Sequence, residues 1–197
     1  MVPGEKNCII REARQRDYQE IFQLTEAAFE KYEQKIEQAD TGHLQETAAD
    51  IKTDIQNQLV LILEKQEKIL GSLRLRAVTA EEERQLLVNT GNEQRTGDNR
   101  SVINNTGKEE TGSEKTGGKV FLLRRFAINP ANQGQGYGSL LFSAAEKRVQ
   151  AAGGIRIYLY SSLDNDRLST FYRNNGFCCQ LVDESRGYRR GLWKKEL

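Results

Sequence analysis

The feature that most constrains this chain is a glycine-studded turn, Asn129-Pro130-Ala131-Asn132-Gln133-Gly134-Gln135-Gly136-Tyr137-Gly138-Ser139. An apolar, strand-like run from Val120 to Ile128 leads into it, and a helix-like run beginning at Leu140-Leu141 follows. Glycines at alternate positions, Gly134, Gly136 and Gly138, remove Cβ bulk where a helix begins. At that point the backbone N–H groups lack intrahelical acceptors and the helix dipole is positive. Such a turn can wrap a phosphate with main-chain donors.

The spacing narrows the kind of phosphate loop. A dinucleotide fingerprint needs glycine at the sixth position, which is Ser139 here, and a P-loop needs a Lys after the last glycine, which is absent. What remains is Gln133, two residues, Gly136, one residue, Gly138, after a strand ending in Asn129-Pro130. With the preceding Leu123-Arg124-Arg125-Phe126-Ala127-Ile128, this resembles the coenzyme A pyrophosphate loop of the GNAT superfamily of N-acetyltransferases. A later segment, Asn165-Asp166-Arg167-Leu168-Ser169-Thr170-Phe171-Tyr172-Arg173-Asn174-Asn175-Gly176-Phe177, resembles the family's second motif, with Leu168 where Ala is usual. Together the motifs cover residues 120–177, in the family's order.

Composition excludes several alternatives. A chain of 197 residues and 22.4 kDa is long enough for one domain with a substantial core. A net charge of +1 gives no global field for nucleic acid or membrane. The longest apolar run, Leu59 to Leu63, is far too short to span a bilayer, and the Met-Val-Pro-Gly-Glu-Lys start does not read as a signal peptide. Cys8, Cys178 and Cys179 form neither a disulfide framework nor a zinc spacing, so the expected location is the reducing cytoplasm. His43 is the only histidine; no metal site is expected, and Ser-His or Cys-His chemistry is disfavoured. Adjacent Cys178 and Cys179 are expected to fill core space.

Periodicity organises the rest. Ile9–Arg14 reads as a strand, and Asp17 with Glu20 as a capping box for a helix carrying Ile21, Leu24, Ala28, Phe29 and Tyr32. A second helix is expected over Leu44–Gln56, then a hairpin of Leu59–Glu64 and Ile69–Val78. Residues 80–118, with repeated Thr-Gly pairs and few bulky apolar side chains, read as a hydrophilic, flexible insertion before the fourth strand. Gly136–Ala152 is expected as a helix with Leu140, Leu141, Ala144, Ala145 and Val149 inward, stopped by Gly153-Gly154. A strand Ile155–Tyr160, a helix capped by Asn165, and a hairpin of Phe177–Val182 with Gly187–Lys194 follow. The sum is a mixed α/β fold with a mostly antiparallel sheet of about seven strands and about four helices. Trp193 and the last strand are the candidate edge for a homodimer.

The resemblance implies more. Strands four and five would splay, and acetyl-CoA would lie in the gap, leaving as coenzyme A. Main chain of Phe126 and Ile128, with Ala127 between them, would pair with the pantetheine arm, and Asn165 would hydrogen-bond it. The loop from Gln133 through Gly134, Gln135, Gly136, Tyr137, Gly138 and Ser139 would hold the pyrophosphate through N–H groups. The acceptor would be a primary amine of a small molecule or peptide, attacking the thioester directly.

A lysine-like amine of pKa about 10.4 is about 0.1% neutral at physiological pH, so a base or a desolvating site is required. Tyr172 occupies the family position for the donor to the leaving sulfur. Proton transfer from a phenol to such a thiolate is uphill by about 2 kcal/mol, so hydrogen bonding would come first. Where some members carry a Glu on strand four this chain has Leu122, leaving Glu26, Glu30 or Glu46 as water-relayed alternatives. Strand alternation would send Arg124 and Arg125 to opposite faces, so that one of them meets the acceptor cleft. Two alternatives stand beside acetyl transfer: a catalytically silent acyl-CoA-binding or sensor module, and transfer of a longer acyl group.

Overall fold

The unbroken apolar runs are strands buried on both faces, as expected for the middle of a sheet covered by helices. The computed structural model describes residues 8–33, 46–88, 117–184 and 187–197. Their strands are β1 (Ile9–Glu12), β2 (Leu59–Lys65), β3 (Lys68–Val78), β4 (Lys119–Ile128), β5 (Gly154–Ser162), β6 (Cys178–Asp183) and β7 (Arg190–Glu196). The helices are α1 (Tyr18–Glu33), α2 (Ala48–Asn57), α3 (Ala80–Val88), α4 (Tyr137–Ala151) and α5 (Asp166–Asn174). The sheet runs β1-β2-β3-β4-β5-β7-β6, and the β4–β5 pair alone is parallel. This is the expected mixed α/β fold, with five helices among the described residues rather than about four.

Each face has its own core. Leu61, Leu63, Leu73, Leu75, Phe121 and Leu123 pack with Leu141, Phe142, Ala145 and Val149 of α4. On the other face Val60 and Ile62 pack with Ile21 and Leu24 of α1 and Ile51 of α2. Truncating any of these leucines, isoleucines or phenylalanines to Ala would cost about 2–5 kcal/mol in lost transfer energy and residual cavity.

Several local expectations are corrected by specific contacts. Asp17 does not box with Glu20: it closes a short 3-10 turn by accepting from the Arg14 N–H at 2.6 Å, while Glu20 accepts from the Ile69 N–H at 2.7 Å. Helix α2 starts later than Leu44, because Thr47 and Asp50 form a reciprocal capping box; Leu44 lies outside the described residues. The first part of the 80–118 segment is helical. Thr79 and Glu82 cap α3, and Glu83 ties it to Arg156 at 2.5 Å and to the Tyr158 hydroxyl at 3.0 Å. Residues 89–116 lie outside the described residues.

On α4, Leu140 is 43% exposed, and Tyr137 and Phe142 fill the core alongside Leu141. Cys179 packs against the core as expected, whereas Cys178 is exposed. Trp193 is fully buried, and β7 lies between β5 and β6, so neither can serve as a dimer edge. No described helix is long and apolar enough to cross a membrane.

Candidate active site

The site is set by where two parallel strands stop pairing. The β4–β5 register runs as far as Leu123 opposite Leu159 and then ends. Beyond it β4 stays paired only to β3, and β5 only to β7. The divergence has a local cause. Opposite β3, Ser72 pairs with Ala127 but Arg74 pairs with Arg124, so Arg125 and Phe126 together face Leu73. This is a β-bulge, and Arg125 takes the left-handed conformation at φ 51°.

The bulge also changes which face each side chain meets. Before it, Phe121 and Leu123 join the α4-side core; after it, Phe126 and Ile128 do, while Ala127 joins the α1/α2 core. Parity therefore switches at the bulge, and Arg124 and Arg125 share the α1/α2 face. Arg124 is opposite Arg74, whose guanidinium binds Glu46 and Asp54. Arg125 stands 3.6 Å from Glu46 and over the Phe29 ring at 5.7 Å. The expectation that alternation separates the two arginines fails for this reason.

A cleft of about 640 Å³ opens where the strands part. It is lined by Phe126, Ala127 and Ile128 of β4, by Gln133, Gly134, Gly136, Gly138 and Ser139 of the turn, and by Asn165 and Tyr172 around α5. Most of the sequence-derived site residues are thus brought to one cavity. The side chains of Gln135 and Tyr137 are not. Gln135 is exposed, with its amide 3.5 Å from the Ala131 carbonyl, and Tyr137 is 2% exposed in the core, its hydroxyl accepting from Lys65 Nζ at 3.1 Å.

The turn has the geometry of an anion cradle. Gly134 and Gly136 have φ of 77° and 81°, which an L side chain adopts only under strain. The first intrahelical bond of α4 runs from the Leu140 N–H to the Gly136 carbonyl, at 3.2 Å. Earlier N–H groups of the turn therefore have no partner within the helix. Gln133 Nε2 donates to the Ile128 carbonyl at 3.1 Å and anchors the turn to the strand end. The Asn129 N–H donates to the Leu70 carbonyl at 2.9 Å, so Asn129 and, by alternation, Ala127 direct main-chain groups toward β3. Those of Phe126 and Ile128 then face the gap. Asn165 caps α5 by accepting from the Leu168 N–H at 3.1 Å.

Tyr172 is 4% exposed, wedged among Phe171, Phe177 and Trp193 at centroid distances of 5.5–5.9 Å. Its ring is a core element, and it also reaches the cleft. Of the carboxylates considered as bases, Glu26 and Glu30 are exposed and Glu46 is committed to Arg74 and Arg125. No carboxylate or imidazole lines the cleft among the described residues.

Sequence reasoning missed several cleft residues. Arg167, exposed and without an ion pair among the described residues, sits beside the turn: a Cβ on Gly134 would lie 3.1 Å from its Nη2. Its place two residues after Asn165, on the first turn of a helix that closes over the glycines, was the available signal. Ser161 lines the β5 wall, its buried hydroxyl lacking a hydrogen-bond partner among the described residues. Tyr160, Tyr188 and Arg190 close the far side, with Arg190 over the Tyr160 ring at 4.7 Å and bonded to Asp183 at 2.6 Å. Nothing in their local sequence marks them.

Residues 18–177 match the profile of the Acetyltransferase (GNAT) family. The chain belongs to this family. GNAT enzymes are acetyltransferases whose acetyl donor is acetyl-CoA. Solved structures share the GNAT fold across nearly the whole chain. One from Streptococcus agalactiae, an acetyltransferase of the GNAT family, is 14% identical with a TM-score of 0.67, covering 98% of this chain and 96% of its own. The yncA protein of Salmonella typhimurium, solved with its cofactor acetyl-CoA, is 13% identical with a TM-score of 0.65, covering 97% and 94%. The PaiA N-acetyltransferase of Thermoplasma acidophilum, in complex with coenzyme A, is 16% identical with a TM-score of 0.62, covering 97% and 99%. Among curated proteins, none matches the sequence.

Proposed function

We propose that this chain moves an acetyl group from acetyl-CoA to a primary amine of a small molecule or peptide, by direct attack. The observation that carries the reading is the convergence on one cleft of an unpaired strand edge, a glycine turn at a helix N-terminus, and Tyr172. The cleft fits the coenzyme chemically. Positive-φ glycines leave room for close approach of a pyrophosphate, and among the described residues Arg167 beside them has no ion pair and the Ser161 hydroxyl no hydrogen-bond partner.

When bound, the coenzyme supplies an activated thioester to the amine. The chain's own residues do the rest. Main-chain N–H groups from Gly134 to Ser139 hold the pyrophosphate, assisted by Arg167. Phe126 and Ile128 offer strand-type hydrogen bonds to the amide-bearing arm, with Asn165 beside it. Tyr172, which lines the cleft, would donate a hydrogen bond to the sulfur of the leaving coenzyme. With no base in the described wall, the positive surroundings of Arg124 and Arg125 favour the neutral, nucleophilic amine.

Calorimetric titration with acetyl-CoA, CoA and NAD in parallel tests the reading. Micromolar acetyl-CoA binding that is absent with NAD and lost in Gly136→Val supports it; no binding of either CoA species sinks it. The missing base favours one second reading, a silent acyl-CoA-binding module. Tight acetyl-CoA binding without thiol release across an amine panel would select that module instead.

A further inference from the structure

We infer that the acceptor is an amine that also carries a carboxylate, and that Arg124 holds this carboxylate on the α1 side of the cleft. The inference rests on the acetyl-transfer reading above and adds the class of acceptor to it.

The cleft is rich in guanidinium groups but has no acid in its described wall. Arg124, Arg125, Arg167 and Arg190 all line it. Three of the four have evident employment. Arg190 is ion-paired with Asp183, whose side chain is 5% exposed. Arg125 leans on Glu46 and on the Phe29 ring. Arg167 lies over the glycine turn. Arg124 is exposed, lines the cleft, and has no carboxylate partner among the described residues. Alternation from Phe121 and Leu123 puts it on the face where α1 contributes Ala28 and Phe29 to the wall, and the bulge that follows adds Arg125 to the same face.

Arg124 is also badly placed to serve the coenzyme's pyrophosphate. It lies five residues upstream of Asn129, where the turn begins, or about 16–17 Å of extended chain. It faces α1 and α2, whereas Phe126 and Ile128 beside the glycine turn face α4. A second anion on the α1 side is therefore the natural partner for its planar fork of donors.

The neighbouring charges argue the same way. Arg74 takes both Glu46 and Asp54, leaving Arg125 a longer contact to Glu46. Burial first, and then the like charges of Arg74 and Arg124, push the Arg125 guanidinium below its ordinary value, with Glu46 opposing. A di- or polyamine would bring a second positive charge into these surroundings and be repelled. An amine bearing a carboxylate would be attracted through that carboxylate, with its amino group left to the reacting end of the cleft. Free amino acids and peptides with an acidic group near the amino end share this chemistry.

The test is thiol release from acetyl-CoA with matched acceptors: β-alanine and β-alaninamide, aspartate, a tripeptide amide beginning with Asp, its Asn counterpart, and a simple diamine. The expected result is a preference for each acid over its amide, expressed in KM. In Arg124→Met that preference collapses by about 10- to 100-fold, the loss of one charge-assisted contact. Arg124→Lys recovers part of it, and acetyl-CoA affinity by calorimetry stays within about twofold of the parent. The free amino acids against the tripeptides distinguish a metabolite from a peptide acceptor. A second readout needs no turnover: CoA-saturated protein is titrated with N-acetyl-β-alanine and its amide, and the acid binds more tightly. Equal use and equal binding of acid and amide, or preference for the diamine, overturns the inference while leaving acetyl transfer intact. Absence of acetyl-CoA binding overturns both.

Discussion

The two halves of the cleft are built from different materials. On the α4 side, the working parts are backbone: glycine φ values, the N–H groups at a helix start, and the unpaired edge of β4. On the α1/α2 side, they are long side chains drawn from distant segments, with Arg74 and Arg125 sharing Glu46 and Arg190 held by Asp183. Backbone chemistry leaves a compact signature, because only glycine tolerates the required conformations at consecutive turns. Side-chain chemistry leaves none, because residues far apart in sequence must meet and each is ordinary where it stands. The difference teaches that the donor of a group-transfer enzyme can be legible when its acceptor is not.

The largest effect is expected on the side-chain half. Arg74 is fully buried, and Arg74→Ala would strand Glu46 and Asp54, which are themselves mostly buried. The expected cost is about 3–5 kcal/mol, read as a lower urea midpoint at unchanged slope. A loss below about 1 kcal/mol would mean that the cluster rearranges toward water and that the α1/α2 side of the cleft is not rigidly charged. On the backbone half, Gly136→Val places a β-branched residue at φ 81° and should weaken acetyl-CoA binding at least about 100-fold. Gln135→Ala, one residue away with its side chain outside the cleft, should change binding less than about twofold. Similar losses in both variants would break the claim that main chain does the holding.

Legibility followed the same division. The helix after the turn, the β2–β3 hairpin and the Asn165 cap depend on local signals and appear where the residues put them. Strand alternation misplaces the arginine pair because it assumes a regular ladder. The bulge at Arg125 adds a residue and reverses the parity, and Arg125 is not a type that advertises positive φ. A leucine pair at 140–141 does not reveal which member faces the sheet; Leu141 does, and Leu140 is exposed. Trp193 looked terminal in sequence, but the β5-β7-β6 order puts its strand inside the sheet. Helix α3 had a visible capping box in Thr79 and Glu82, outweighed by the polar composition behind it.

Tyr172 belongs to both halves, as packing for the core and as a hydroxyl on the cleft. Tyr172→Phe should keep the fold and the acetyl-CoA affinity and lower kcat about 100-fold, with the basic limb of the pH profile changed. Full turnover with an unchanged profile would reduce it to a packing residue among Phe171, Phe177 and Trp193.

The smallest effect on stability lies outside the cleft, where α1 is fastened to the sheet. Burial would raise the Asp17 carboxyl, but bonds from Arg11 at 2.7 Å and from the Arg14 N–H more than offset it and hold it below the ordinary carboxylate value. A depressed folded value means that the unfolded chain takes up the proton first as pH falls. The stabilisation is therefore complete above the ordinary Asp range, near pH 4, and is lost as pH drops through the lower folded value. Asp17→Asn should destabilise by about 1 kcal/mol at neutral pH and by progressively less below about pH 4. Urea midpoints of both proteins across that range should converge at the acid end. Parallel curves would mean that Asp17 acts as the cap of its 3-10 turn alone, with no contribution from its charge to seating α1 against the cleft wall.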